Sequence, residues 1–184
     1  QEIMEEIAQV TPSYGGITYK RLEKNGLQWP CPTPDHKGTK FLHKDRFSRG
    51  LGLFHAIDYI PPAELPDAEY PFLLSTGRVL YHYHTGTMTR LSQGAMQRYP
   101  ESLVEINPQD GEKMGITDGQ LVKITSRRGE VQAKAKLTER SAVGSIFMNF
   151  HFHEAAVNLL TNPALDPIGK IPEYKVCAVR VEAA

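Results

Sequence analysis

Hydroxyl, glycine and arginine residues occur together at two neighbouring places near the middle of the chain. The first is Ser75-Thr76-Gly77-Arg78, which follows a short apolar run. Glycine lets a backbone approach a ligand closely, hydroxyls form hydrogen bonds, and the planar guanidinium of arginine matches the oxygens of a phosphate. The second is the run from His82 to Arg90, whose threonines and glycine precede a predicted helix start, where free N–H groups can hold an anion. Both segments predict a phosphate site, although each could also be a plain polar turn.

Histidines occur at alternate positions in two places. One pair is His82 and His84, and the other is His151 and His153, at the end of a predicted strand. Alternate residues of an extended chain face the same side, so four imidazoles could ligate zinc or iron if the two pairs met in space. Nothing in the sequence forces that meeting, and the neighbouring hydroxyl and amide groups suit a heterocycle and phosphates better. Further along, Tyr174-Lys175 could bind a heterocycle or a phosphate, or could be plain surface.

The segments that must position these residues are β-rich after Pro71. Strands are predicted at 72–75, 103–106, 121–126, 130–137, 145–150 and 174–181, and helices at 88–98, 108–114 and 153–160. The two strands that flank Arg127-Arg128-Gly129 alternate in hydrophobicity, which indicates a β-hairpin. Asn107 and Pro108 form a typical helix start. Short strands with interspersed short helices predict a mainly β fold (α+β), closed into a barrel.

The first part of the chain has a different pattern. Residues 1–10 predict an amphipathic helix, and Thr18 is expected to cap a short second helix that ends at Asn25-Gly26. A proline-rich stretch follows, and then an apolar segment with little periodicity, which predicts an extended arm that packs on another surface. We therefore expect residues 1–66 to be the tail of a preceding domain with a linker, and residues 67–184 to be the barrel. The start at Gln1, within a helical pattern, suggests a piece of a longer protein.

The composition excludes several classes of function. The 184 residues carry 21 basic and 21 acidic side chains, without the basic excess of a nucleic-acid-binding protein. No apolar run is long enough to span a membrane. The two cysteines, Cys31 and Cys177, form no CxxC motif, so we expect them to be buried apolar residues and not ligands of a zinc ion or an iron–sulfur cluster.

Taken in order, these motifs resemble a known family. The resemblance rests on segments 70–78, 82–89, 105–108, 115–116, 126–129, 149–151 and 171–180. Together they are similar to the C-terminal domain of formate dehydrogenases, within the dimethyl sulfoxide reductase superfamily of molybdopterin enzymes. The resemblance covers about residues 68–184. Segments 14–17 and 28–31 and the Pro61-Pro62 linker look like the end of the preceding domain of the same subunits.

This resemblance implies a six-stranded double-psi β-barrel of the aspartate-decarboxylase-like type, with an N-terminal helical and extended arm. It implies bis(molybdopterin guanine dinucleotide) carrying molybdenum or tungsten, formate oxidation to carbon dioxide, and electron transfer to a 4Fe-4S cluster elsewhere in the parent enzyme. The expected partners are the rest of the same large subunit and electron-transfer subunits, without nucleic acid or membrane insertion. The expected location is the cytoplasm, with the periplasm as the alternative. The residues expected at the cofactor are Thr76, Gly77, Arg78, His82, His84, Thr85, Gly86, Thr87, Met88, Thr89, Asn149, Phe150, His151, Asn158, Tyr174 and Lys175.

No catalytic residue or metal ligand is expected within this segment. The family's metal ligand is a cysteine or selenocysteine followed by histidine, whereas Cys31 precedes proline and Cys177 precedes alanine. The segment alone is therefore expected to be inactive. Three alternatives stay open: the equivalent domain of another oxidoreductase such as a nitrate reductase, a non-catalytic barrel adaptor that binds a protein, and a metal-dependent enzyme built on the two histidine pairs.

Overall fold

A computed structural model describes all 184 residues and divides into two compact units, Gln1–Asp58 and Tyr59–Ala184. The first unit contains α1 (Glu2–Val10), a 3₁₀ turn (Pro12–Tyr14) and α2 (Tyr19–Leu22). Both predicted helices are present, but α2 ends three residues before Asn25. Its predicted cap is confirmed, because the Thr18 hydroxyl accepts a hydrogen bond from the N–H of Arg21 at 3.3 Å.

A single arginine organises the loop that follows α2. The guanidinium of Arg21 donates to the carbonyl oxygens of Gly16, Thr33 and His36, and one of its nitrogens lies 3.5 Å from the sulfur of Cys31. Cys31 is fully buried and unpaired, as the sequence predicts. The arginine thus satisfies carbonyl groups that the proline-rich stretch cannot pair through regular structure.

Residues 41–58 form the extended arm. Their only regular pairing joins Phe47 to Gly50. Large apolar side chains along the arm are open to solvent: Leu51, Phe54 and Ile57 are 93%, 98% and 89% exposed. A run of exposed apolar side chains of this kind is typical of a segment that is covered in a larger assembly.

The arm should exchange its amide hydrogens faster than the barrel strands do. Few of its N–H groups are hydrogen-bonded, whereas those of the barrel are paired on both sides. Hydrogen–deuterium exchange of this chain, followed by mass spectrometry over minutes to hours, measures the difference. Equal protection of residues 41–58 and of the barrel strands would contradict this expectation.

The second unit is built on six strands: β1 (Phe72–Gly77), β2 (Leu103–Ile106), β3 (Leu121–Thr125), β4 (Glu130–Leu137), β5 (Ser145–Asn149) and β6 (Cys177–Ala183). They close into a barrel in the order β1-β5-β2-β4-β3-β6. The pairs β1–β5 and β2–β4 are parallel, and the other four are antiparallel.

This order has a two-fold relation that the sequence does not reveal. Exchanging β1 with β4, β2 with β5 and β3 with β6 reproduces the same neighbours and the same parallel pairs. Two three-stranded halves therefore interlock, which is the arrangement of a double-psi β-barrel. The predicted fold is confirmed, although no repeat is visible in the sequence.

Alternation along the strands fills the barrel. In β4 the even-numbered side chains face solvent, while Val131, Ala133 and Ala135 face the interior. Leucine, isoleucine and valine from the other strands complete the core, together with Met148 and Cys177. Burial raises the pKa of the Cys177 thiol to about 11, so this cysteine is an inert core residue, as the sequence predicts.

Two short helices connect the strands, α3 (Gln93–Arg98) and α4 (Pro108–Met114). The caps of α4 are those predicted: the Asn107 side chain accepts from the N–H of Gln109, and Gly115 adopts a left-handed conformation with φ 67°. The longest helix of the chain has nine residues, which is too short to cross a lipid bilayer.

Three predicted elements differ from the structure. The predicted helix 88–98 is a 3₁₀ turn (Thr89–Leu91) followed by α3, because Ser92 is extended and interrupts it. The predicted helix 153–160 is two 3₁₀ turns, His153–Ala155 and Val157–Leu159, separated by Ala156. The last strand begins at Cys177 and not at residue 174, because the chain around Tyr174 forms a turn.

Residues 59–66 group with the barrel unit, whereas the sequence pattern predicts a barrel that begins at residue 67. The reason is Glu64, whose carboxylate is bound by both terminal nitrogens of Arg128 at 2.6 and 2.9 Å and by the N–H of Ala178 at 2.6 Å. Arg128 also donates to the carbonyl of Leu160. This contact, the Glu64–Arg128 clasp, fixes the linker to the β3–β4 hairpin.

Candidate functional site

The register of β1 and β5 brings two of the predicted segments together. The strands run parallel with Gly77 opposite Asn149, and the N–H of Phe150 donates to the carbonyl of Gly77 at 3.3 Å. Residues 76–78 and 149–151 therefore leave the barrel side by side. A β-carbon at Gly77 would lie 2.6 Å from the ring of Phe147, so a side chain at this position would require that ring to move.

Tyr174 and Lys175 lie at the same end of the barrel. The Thr76 hydroxyl donates to the carbonyl of Tyr174 at 2.7 Å, and the Lys175 ammonium donates to the carbonyl of Thr76. An ammonium has three N–H groups, so Lys175 keeps donors for a ligand while it is held in place. Tyr174 is 44% exposed and presents part of its ring to solvent.

Arg78 is the cation at this site that is free to bind an anion. Its side chain is exposed, forms no ion pair, and lies over the ring of Phe150, with 5.4 Å between its Cζ and the ring centroid. One terminal nitrogen is 3.5 Å from Nδ1 of His84. A guanidinium held against an aromatic face without a carboxylate partner suits an oxyanion.

Residues 79–90, the 79–90 loop, fold back over the end of β5. Gly86 has φ 76°, and a β-carbon there would lie 2.8 Å from the carbonyl oxygen of His151, so this turn requires glycine. On the outer side, the hydroxyls of Thr85 and Thr87 are exposed and 3.3 Å apart. Met88 is 68% exposed.

The helix start that the sequence predicts here is only the three-residue turn Thr89–Leu91, which is too short to act as a helix N-terminus for an anion. Thr89 points inwards and accepts from the N–H of Tyr83 at 3.2 Å. Any phosphate at this loop would depend on hydroxyl groups and Arg78, and not on a helix dipole.

The four histidines fall into two classes. His82 and His151 are buried, and both ring nitrogens of each are hydrogen-bonded to groups of the chain. His84 and His153 are exposed, and His84 has a left-handed φ of 47°. Neither His82 nor His151 has a free ring nitrogen in this conformation, and their expected place at the cofactor stays a prediction.

The same geometry bears on the alternative of a four-histidine metal centre. A metal ligand must offer a free nitrogen lone pair, and the buried pair offers none. No group of three or more histidine, cysteine, aspartate or glutamate side chains in the chain is arranged to hold a metal ion.

Asn149 and Asn158 have different surroundings. Asn149 is fully buried; its side chain accepts from the N–H of His151 at 3.2 Å and donates to the phenol oxygen of Tyr99 at 3.3 Å. Asn158 is exposed and, with Thr85 and Phe150, lines a cavity of about 200 Å³ next to the 79–90 loop. Asn149 therefore holds neighbouring residues of the site in place, while the amide of Asn158 is exposed at the wall of the cavity.

A larger cleft lined by Arg78 was not predicted from the sequence. It has a volume of about 600 Å³, and Arg78, Tyr81, Tyr99 and Arg140 are among its lining residues. Burial raises the pKa of Tyr99, so its phenol stays protonated as a donor. Neither Tyr99 nor Arg140 lies in a motif, and only the fold brings them next to Arg78.

The chain is similar to proteins of one family along its length. A family model described as "Molydopterin dinucleotide binding domain" matches residues 72–178. The chain is 53% identical over 184 residues to the F420-dependent formate dehydrogenase subunit alpha of Methanocaldococcus jannaschii, covering 99% of this chain and 27% of that protein. It is 43% identical over 175 residues to the assimilatory nitrate reductase catalytic subunit of Bacillus subtilis, covering 91% of this chain and 24% of that protein.

The chain thus spans about a quarter of the length of the curated relatives it matches. Among solved structures, acetylene hydratase from Pelobacter acetylenicus superposes with a TM-score of 0.56 at 14% identity, covering 97% of this chain and 29% of that one. At this level of identity the superposition supports the fold alone.

Proposed function

Because the chain belongs to the molybdopterin dinucleotide-binding domain family, as its sequence motifs predict, we propose that it holds the pterin dinucleotide cofactor in the large subunit of a formate dehydrogenase. The observation that carries this proposal is the pairing of Gly77 with Asn149, which brings the unpaired guanidinium of Arg78 next to the segment 149–151. Residues 1–66 are then the end of the preceding domain together with the linker to the barrel.

The residues at this end of the barrel fit such a cofactor. Arg78 and the exposed hydroxyls of Thr85 and Thr87 suit phosphate oxygens, since charge-assisted hydrogen bonds to phosphate are strong and directional. The free donors of Lys175 and the amide of Asn158 suit the ring edges of a heterocycle. Gly77 and Gly86 have no side chain, so the backbone at these positions can come close to the cofactor. His82, Asn149, His151 and Thr76 are buried and, with the partly exposed Thr89, position these groups, and Phe150 supports Arg78.

The relatives favour formate as the substrate of the parent enzyme. Three F420-dependent formate dehydrogenase alpha subunits are 47–54% identical to the chain, compared with 43% for the nitrate reductase. We propose that the parent removes two electrons and a proton from formate to leave carbon dioxide. The bound molybdenum or tungsten cofactor would supply the redox chemistry. The names of the relatives support coenzyme F420 as the electron acceptor and further subunits as partners. We propose that the electrons pass through a 4Fe-4S cluster of the parent enzyme, in the cytoplasm.

The composition of the purified intact subunit tests this function. Stoichiometric guanine nucleotide and molybdenum or tungsten are expected, together with formate-dependent reduction of a redox dye, and of F420 once the further subunits are added. An intact subunit that contains neither nucleotide nor metal but co-purifies with a protein partner would support the adaptor alternative instead.

The chain alone should not oxidise formate. Its two cysteines are buried in separate units and neither lies at the candidate site, so it has no thiolate for the metal of the cofactor. Dye-coupled formate oxidation is the assay, with heat-treated chain as the background. Activity above that background would contradict the prediction and place a catalytic group within these residues.

A further inference from the structure

The two buried histidines have hydrogen bonds of different kinds. Nε2 of His151 accepts the N–H of Val79 at 2.9 Å, and its Nδ1 faces the carbonyl of His84. A backbone N–H can only donate and a carbonyl oxygen can only accept. His151 must therefore be neutral, with its proton on Nδ1, for both bonds to exist.

His82 has no such requirement. Its Nε2 faces the carbonyl of Tyr99 at 2.7 Å, but its Nδ1 faces the hydroxyl of Thr89 at 3.1 Å. A hydroxyl can donate or accept, so a protonated His82 would keep both bonds after the Thr89 hydroxyl rotates. Of the two histidines, only His151 loses a hydrogen bond when it takes up a proton.

The two hydrogen bonds of His151 hold two backbone positions, and each of them adjoins a candidate ligand residue. One holds Val79, directly after Arg78, and the other holds His84, directly before Thr85. The carbonyl of His151 also lies against Gly86, where a β-carbon would approach it to 2.8 Å. The positions of the Arg78 guanidinium and the Thr85 hydroxyl therefore depend on the same imidazole.

We propose that His151 is a positioning residue whose neutral Nδ1–H form holds the 79–90 loop in its ligand-ready conformation, and that protonation of this imidazole releases the loop. The proposal relies on the proposed function only for the identity of the ligand. The hydrogen bonds and their dependence on pH can be tested without any cofactor.

The surroundings of His151 favour the neutral form. The ring is fully buried, and the other titratable or charged groups that face it are Arg78, His82 and His84. The carboxylate of Glu154, on the segment that follows, is ion-paired with an arginine. Burial lowers the pKa of His151 below its usual value of 6.5, and these three groups lower it further, against a smaller opposite effect of the bond to His84.

The direction of the pH effect follows from linkage. At pH above 6.5 the imidazole is neutral in the folded and the unfolded chain, so it contributes no dependence on pH. As the pH falls below 6.5, the unfolded chain takes up the proton first, and the free energy of unfolding decreases until the folded pKa is reached. The loop should open locally over the same range.

Nitrogen NMR of the imidazole in this chain is the first test. At about pH 7.5 the spectrum should show His151 with a protonated Nδ1 and an unprotonated Nε2, and the ring should titrate below the usual histidine range. A proton on Nε2, or titration at or above the usual value, would overturn the proposal. This measurement uses the unaltered chain, so it does not depend on whether a variant folds.

The second test is the protection of the Val79 amide against hydrogen exchange in His151→Gln. A glutamine amide cannot take up a proton, so protection should no longer fall at low pH, whereas in the unaltered chain it should fall about tenfold as His151 is protonated. The matched control is His153→Gln, an exposed histidine on the same segment, which should keep the pH dependence. The same pH profile for His151→Gln and the unaltered chain would show that His151 only fills space.

Discussion

Replacing Arg78 by alanine should weaken binding of the molybdopterin dinucleotide roughly ten- to a hundredfold, corresponding to about 1.5–3 kcal/mol for a charge-assisted contact with phosphate. The expectation rests on three features: Arg78 is exposed, forms no ion pair, and is held over the ring of Phe150 at the end of β1. The dissociation constant can be measured by titrating this chain with pterin dinucleotide released from a purified molybdoenzyme.

Two further variants separate the possible causes of this loss. Arg98→Ala removes the same charge from an exposed arginine of α3 that has no ion pair, so it should leave the affinity nearly unchanged. Arg78→Lys keeps the charge but not the planar fork, and should be intermediate. Equal affinities for Arg78→Ala and the unaltered chain would make Arg78 a simple turn residue.

Replacing Glu64 by alanine should lower the free energy of unfolding of the barrel unit by roughly 2–4 kcal/mol, because it removes one partner of a largely buried ion pair. The side chains of Glu64 and Arg128 are 13% and 23% exposed. Without the carboxylate, Arg128 keeps only the carbonyl of Leu160, and the N–H of Ala178 loses its acceptor. Urea denaturation of the chain measures the effect.

The matched control for the Glu64–Arg128 clasp is Glu69→Ala. Glu69 is also close to an arginine, at 3.9 Å from Arg180, but its side chain is 68% exposed, so little stability should be lost. Similar losses in the two variants would contradict the role of the clasp.

The stability due to Glu64 should also depend on pH. The bonds from Arg128 lower the pKa of Glu64 below its usual value of 4.5, and the N–H of Ala178 adds to the shift. This stability is present above pH 4.5 and is lost as the pH falls through the folded pKa. The Glu64→Ala chain should lack this part of the acid dependence.

Local chemistry explains which elements the sequence predicts well. The hairpin β3–β4 follows from strict alternation, and the caps of α4 follow from Asn107, Pro108 and Gly115, whose conformations are set by neighbouring residues. The predicted helix across Ser92 is wrong because Ser92 is extended and begins a new helix as the N-cap of α3, where its carbonyl accepts from the N–H of Met96.

The arrangement of the site is predictable only in part. Motif order and family resemblance identify the segments around Gly77 and Asn149, but only the parallel register of β1 and β5 shows that they are adjacent. The roles of the histidines depend on burial, which the alternating spacing does not predict. His82 and His151 are buried and hydrogen-bonded to the 79–90 loop, whereas the second histidine of each pair is exposed. Tyr99 comes from a different part of the chain and has no motif of its own.

The most direct test of the central claim is backbone NMR of this chain during titration with molybdopterin guanine dinucleotide. We expect the largest saturable shifts at one end of the barrel, with smaller shifts in the strands behind it. The residues concerned are 76–79, 84–89, 149–151, 158 and 174–175. Saturable binding that leaves these residues unperturbed, or no binding at cofactor concentrations that saturate related enzymes, would contradict the account.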